Sequence, residues 1–109
     1  MQSDNYLDSI ASLIRREIPS HAVPATAGTE SLFRMYAILL EACGQGVSAR
    51  DVHNAWVAWM LERDPSHPAL VPYGELPEDV ARQDDVYVSA IRSVALTLSG
   101  TNLPLSEDQ

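Results

Sequence analysis

The sequence predicts an all-α domain, and three observations carry that prediction. Apolar residues recur at helical spacing in several stretches. The stretches are bounded by residues that start or stop helices. No alternating apolar–polar pattern runs longer than a few residues, so no sheet is expected. The expected architecture is a small domain of four principal helices plus a short one, with an ordered, extended, proline-rich crossing between helices three and four.

The first helix is expected over residues 4–18. Leu7, Ile10, Ile14 and Ile18 share one face, Ser3 or Asp4 can cap the start, Arg15 and Arg16 suit the last turn, and Pro19 stops it. Residues 19–28, "PSHAVPATAG", read as a loop. Thr29 is the expected cap of a second helix over 30–43, whose broad apolar face holds Leu32, Phe33, Tyr36, Leu39, Leu40 and Cys43 and which Gly44 ends. Ser48 opens the third helix, with Asp51 three residues on as the acidic partner of a capping box. It should run to about Asp64, because Pro65 disfavours helix at the residue before it. Pro77 suits the first turn of a short helix over 77–82. Asp84 or Asp85 begins the last helix, where Tyr87, Ile91, Val94, Ala95 and Leu98 repeat at spacings of 4, 7, 8 and 11, and Gly100 closes it. Residues 1–100 are thus expected to form one domain and 101–109 a disordered tail.

Composition narrows the function classes. The chain of 109 residues has 15 acids against 7 bases, a formal charge of −8, and all seven bases are arginine. Such a surface repels nucleic acid and anionic membranes, so DNA, RNA and membrane partners are not expected. No apolar run approaches the roughly 18 residues that span a bilayer, and the first residues lack the basic start and apolar core of a signal peptide, so the cytoplasm is the expected compartment. Cys43 is the single cysteine. It lies on the apolar side of its helix, where cysteine acts as a small hydrophobe rather than a nucleophile.

His21, His53 and His67 are the three histidines, and no pair has helical metal-ligand spacing. Neither metal nor cofactor is expected. His53 and Trp56 are neighbours on the third helix. The structural reading is a core tryptophan beside a histidine that hydrogen-bonds a nearby loop; the functional reading is an aromatic platform with a polar donor. Glu75, Glu78, Asp79, Asp84 and Asp85 cluster in sequence. Acids at two successive helix starts explain that cluster better than paired catalytic carboxylates. No nucleophile–base pair or phosphate loop emerges, and an enzyme is not expected.

One segment stands out. "VHNAW" at 52–56, followed by "HPALVPYGELPEDVARQDDVYVSAIRSVA" at 67–95, resembles the RyR domain, named from the ryanodine receptors and also found in small proteins of bacteria and their phages. The matching residues are His53 and Trp56, then His67, Pro68, Leu70, Val71, Pro72, Tyr73, Leu76 and Pro77. The likeness covers residues 47–100; where the family usually carries Gly-Trp-x-Tyr-Gly, this chain has "VAWMLERDPS". The chain is also similar to small acidic proteins of actinobacteria and their phages.

The resemblance implies a loop packed over the third helix, with Leu70 and Val71 buried and a loop carbonyl accepting from His53. It also implies a non-catalytic module that binds a nucleotide-derived small molecule. Trp56 would stack the base, with His53 and Tyr73 beside it, Trp59 in place of the missing aromatic, and Arg50 or Arg63 on the phosphates. A lone domain of this kind would act by capture, as a phage sponge for an immune messenger, with a homodimer or higher homo-oligomer sharing the pocket. The alternative is a protein-interaction or regulatory module with no small ligand; as an interaction module, Phe33, Tyr36, Trp59 and Met60 would form an exposed apolar patch filled by a partner.

Overall fold

A computed structural model describes residues 5–24 and 28–107, with side chains through residue 99. Five α-helices follow in order: α1 (Tyr6–Arg16), α2 (Thr29–Cys43), α3 (Ala49–Leu61), the short α4 (Glu78–Ala81) and α5 (Asp84–Glu107). Single 3-10 turns lie at Ser20–Ala22, Gly44–Gly46 and Tyr73–Glu75, and no strand occurs among the described residues. The all-α expectation therefore holds.

The helix starts show local chemistry at work. Asn5 caps α1, its side chain accepting from the Asp8 amide at 2.9 Å; Ser3 and Asp4, the expected caps, lie outside the described residues. At α3 the capping box forms as expected. Ser48 Oγ accepts from the Asp51 amide at 3.2 Å and the Asp51 carboxylate accepts from the Ser48 amide at 2.9 Å. At α2 the expected cap, Thr29, is the first helical residue instead. Gly28 takes the capping position in a left-handed conformation (φ 89°, ψ 15°) open to glycine and costly for other residues. Its carbonyl accepts from the Ser31 hydroxyl at 2.8 Å and from the Trp59 indole at 3.1 Å, which ties α2 to α3.

The core lies where α1, α2, α3 and α5 meet. Ile14, Leu32, Tyr36, Val47, Val52 and Ile91 are its most completely buried large side chains. Phe33, Tyr36 and Tyr87 form an aromatic cluster, with Phe33 edge-on to Tyr36 at 5.6 Å between centroids and Tyr36 tilted against Tyr87 at 5.3 Å. The Arg92 guanidinium donates twice to the Val47 carbonyl, at 3.0 and 2.8 Å, and so pins the turn before α3 to α5.

Several expectations need correction. Phe33, Tyr36, Trp59 and Met60 do not form an exposed patch, because the chain's own helices bury all four. Cys43 is exposed: it is the last residue of α2, and the chain turns away at Gly44 (φ 56°) before another helix can cover it. Gly100 does not close α5, whose backbone stays helical to Glu107. Residues 101–107 belong to that helix, and residues 108–109 lie outside the described residues.

The connection between α3 and α4 is a chain of turns rather than an extended crossing. Arg63 and Asp64 amides donate to the Met60 carbonyl, His67 to Asp64, Leu70 to His67, Glu75 to Pro72 and Leu76 to Tyr73. Proline shapes these turns by fixing φ: Pro72 (φ −57°) leads into the 3-10 turn and Pro77 (φ −59°) into α4. Leu70 and Val71, expected to be buried, are half-buried.

Gly28 gives the fold a specific test. A Cβ there would stand 2.7 Å from Arg63 Nη2 on a backbone of positive φ, whereas Gly74 has open space around it. Gly28→Ala should destabilise the protein by about 1–2 kcal/mol, while Gly74→Ala should leave stability nearly unchanged. Chemical denaturation of both variants reads the difference.

Candidate functional site

A cavity of about 700 Å³ opens among the first loop, α2, α3, the turn-rich connection and the start of α5. His21, Ala22, Val23 and Pro24 form one wall. Tyr36 from α2 and His53 and Trp56 from α3 line the inside. His67, Ala69, Leu76 and Val80 close the side toward α4, and Gln83, Asp84, Val86 and Tyr87 come from the start of α5. The Tyr87 hydroxyl donates to the Ala22 carbonyl and holds the first loop against α5.

His53 is the buried polar residue of the core, 3% exposed. Its Nε2 lies 2.7 Å from the Val71 carbonyl. A carbonyl can only accept, so Nε2 carries the proton and donates. The structural reading of His53 made from the sequence is therefore what the fold shows. In the neutral ring Nδ1 is then bare, and it faces Asp84 Oδ2 at 3.8 Å, beyond hydrogen-bond distance. Asp84 Oδ2 is buried with no hydrogen-bond partner among the described residues. Burial pushes the Asp84 carboxyl up to about 6; the His53 ring beside it pulls it down, and Asp85 adds to the rise. Burial also holds the Tyr36 hydroxyl well above its ordinary range, with Tyr87 and Asp84 contributing. Tyr87 is raised by burial and by Asp84. Both phenols are therefore neutral donors near pH 7.

Trp56 is half-buried, with His53 stacked against it at 5.8 Å (interplanar angle 21°) and His67 edge-on at 5.0 Å. His67 Nδ1 accepts from the Ala69 amide at 3.0 Å, which leaves the proton of the neutral ring on Nε2. Besides Asp84 the cavity thus holds three imidazoles and two phenols. Among the described residues no serine, threonine, cysteine, lysine or arginine lines it. Among the described residues no group of three or more His, Cys, Asp or Glu side chains is placed to hold a metal ion.

Of the six residues singled out from sequence, His53 and Trp56 line the cavity. Tyr73 neighbours His53 at 6.2 Å without lining it, and carries the Arg50 guanidinium over its ring at 5.8 Å. Trp59 and Arg63 are elsewhere. Trp59 is buried with its indole on Gly28 and Ser31, and Arg63 sits over its ring at 4.2 Å while donating to the Trp59 carbonyl at 2.9 Å. Both serve the junction of α2 and α3. Sequence reasoning missed Asp84, which it took for a helix-start acid. The signal was present: Asp84 precedes Tyr87 by three and Ile91 by seven, on the buried stripe of α5.

The chain belongs to a family defined as a domain of unknown function (DUF7701), whose model matches residues 5–96. That span takes in the α1 cap and most of α5, including the first half of the chain, which the RyR resemblance left unmatched. No RyR domain is detected, and the resemblance is overturned. The residues that suggested it are accounted for by local structure: turn-forming prolines, and a core histidine held by a loop carbonyl. No curated protein and no solved structure matches the chain. No helix among the described residues is long and apolar enough to cross a membrane.

The raised Asp84 carboxyl makes a stability prediction that needs no ligand. The folded protein holds this proton more tightly than the unfolded chain, whose carboxyl titrates near 3.8. The contribution is present in full below that pH and is lost as pH rises through about 6. At about 1.4 kcal/mol per pH unit, the loss is roughly 2–3 kcal/mol. Asp84→Asn should therefore gain stability over the wild type by that order between pH 4 and 7. Parallel denaturation curves across that range would contradict the assignment.

Proposed function

We propose that this chain is a non-catalytic binding module whose cavity receives a small, flat, partly apolar molecule bearing N–H donors. The observation that supports this reading most strongly is the pairing of a cavity walled partly by aromatic rings with the Asp84 carboxylate, which lines it and has an oxygen that no described residue engages. Buried polar atoms are normally hydrogen-bonded, and an exception inside a cavity is what a binding site looks like before its ligand arrives.

The choice of binding over catalysis rests on His53. One ring nitrogen is committed to Val71 and the other faces Asp84, so neither is presented to a molecule in the cavity. His53 sets the position and charge of Asp84 and is not itself a free acid or base. A nucleotide-derived ligand was an implication of the overturned resemblance and loses that support. Its base would suit the walls. Its phosphates would have to stay outside, where Arg50 on Tyr73 is the guanidinium on the His53 side.

Binding should be read by amide and indole NMR shifts against a panel of adenine, adenosine, cytosine and indole. At least one heterocycle should shift the Trp56 indole and the Tyr87 amide at saturable concentration. Trp56→Ala should keep the fold, costing about 2 kcal/mol for a half-buried ring, and should weaken that binding tenfold or more. A folded protein whose cavity resonances respond to none of the panel, or a Trp56→Ala variant that binds as well as the wild type, would overturn the reading.

A further inference from the structure

The cavity's polarity says more about its occupant than its shape does. Asp84 Oδ2 is buried and meets no hydrogen-bond donor among the described residues, while the side chain as a whole keeps 15% exposure on the cavity wall. The group best placed to counter its charge, His53 Nδ1, stands 3.8 Å away with its ring held by the Val71 carbonyl. Among the described residues no arginine lines the cavity, and the chain has no lysine. The rest of the lining combines the rings of Trp56, Tyr36 and Tyr87 with aliphatic side chains such as Val23, Leu76, Val80 and Val86, and ring faces attract cations. The chain's charge of −8 adds a field that draws cations in and keeps anions out.

We infer that the site is built for an organic cation, an ammonium or amidinium nitrogen on an apolar, aromatic-packing body, whose N–H groups donate to the accessible part of the Asp84 carboxylate. This rests on the binding reading above and gives its ligand class. An N⁺–H donor supplies both things the carboxylate lacks, a hydrogen bond and a full counter-charge, and such bonds are about twice as strong as neutral ones. A neutral donor supplies only the first. An anion meets the carboxylate's charge in a cavity with no cation on its walls.

Affinity for a cation should rise as pH climbs through about 6, because the cation needs the ionised carboxylate. The groups facing Asp84 act in known directions. Tyr36 and Tyr87 stay neutral, Asp85 is a like charge, and a proton on His53, or on His21 or His67 across the cavity, would oppose a cation in the same sense. The pH profile alone therefore does not single out Asp84, and a substitution is needed.

The test uses benzamidine, benzamide and benzoate, which share a ring and differ in charge, titrated into the full chain at pH 7.5 by NMR. Benzamidine should shift the Trp56 indole and bind at least tenfold more tightly than benzamide, and benzoate should not bind. Asp84→Asn, which the stability argument expects to fold well, should remove that preference while still admitting benzamide. His53→Gln, if it folds, should retain the preference for the cation, since Asp84 remains. Equal binding of benzamidine and benzamide, or a cation preference that survives Asp84→Asn, would overturn the inference and leave the cavity reading standing. A folded protein on which none of the three moves a cavity resonance would count against both.

Discussion

The hydrogen bond from His53 Nε2 to the Val71 carbonyl organises this end of the molecule. Residues 62–77 have no regular helix beyond one 3-10 turn, and their turns are local. Arg63 ties their start to Trp59 and Ser31, and their middle is fastened to the bundle by a side chain from the core of α3 reaching a backbone oxygen in the loop. Burying an imidazole is costly without a partner, and leaving a loop carbonyl unpaired against the core is costly too; the single bond satisfies both. It also fixes the ring, so that Nδ1 can face only toward α5. There it meets Asp84, and the wall of the cavity is set.

The same arrangement leaves Asp84 in an unfavourable place. A carboxylate at the first turn of a helix is ordinarily stabilised by the helix dipole and by water. Here the aromatic cluster of α2 and α5 and the first loop, tied down by Tyr87, take the water away. The protein tolerates a destabilised group at one point of an otherwise well-packed fold. Groups of that kind gather where something else is to be bound. The cavity, the stacked His53–Trp56 pair and the orphaned oxygen are thus three consequences of how α3 and α5 approach each other around the connection between them.

Much of the scaffold was legible in the sequence because its signals are local. Ser48 with Asp51, Gly44 after Cys43, and the Tyr87–Ile91–Val94 stripe each act within one or two helical turns. The parts that were not legible depend on distant residues. Gly28, rather than Thr29, starts α2, and its carbonyl is engaged by Trp59, 31 residues away. The prolines of the connection read as extended chain, yet turns formed by neighbouring amides fold it up. His53 was readable as a histidine held by a loop carbonyl, and that holds. Asp84 was not, because its acidic neighbours Asp79 and Asp85 and its place at a helix start gave it an ordinary explanation. Only its position on the buried stripe of α5 marked it out. The RyR resemblance failed for a related reason: a short run of prolines and apolar residues records the demands of a turn-rich connection, which unrelated folds share.

Asp84 is ionisable and largely withdrawn from water, with one oxygen fully buried. The direct measurement is a carbon-13 NMR titration of the Asp84 side-chain carboxyl in the free protein, assigned by comparison with Asp84→Asn. The account predicts a midpoint of about 6, well above the ordinary 3.8. A midpoint in the ordinary carboxylate range would mean that water or a protein donor reaches Oδ2, and the cavity would then lose the feature that marks it as a site.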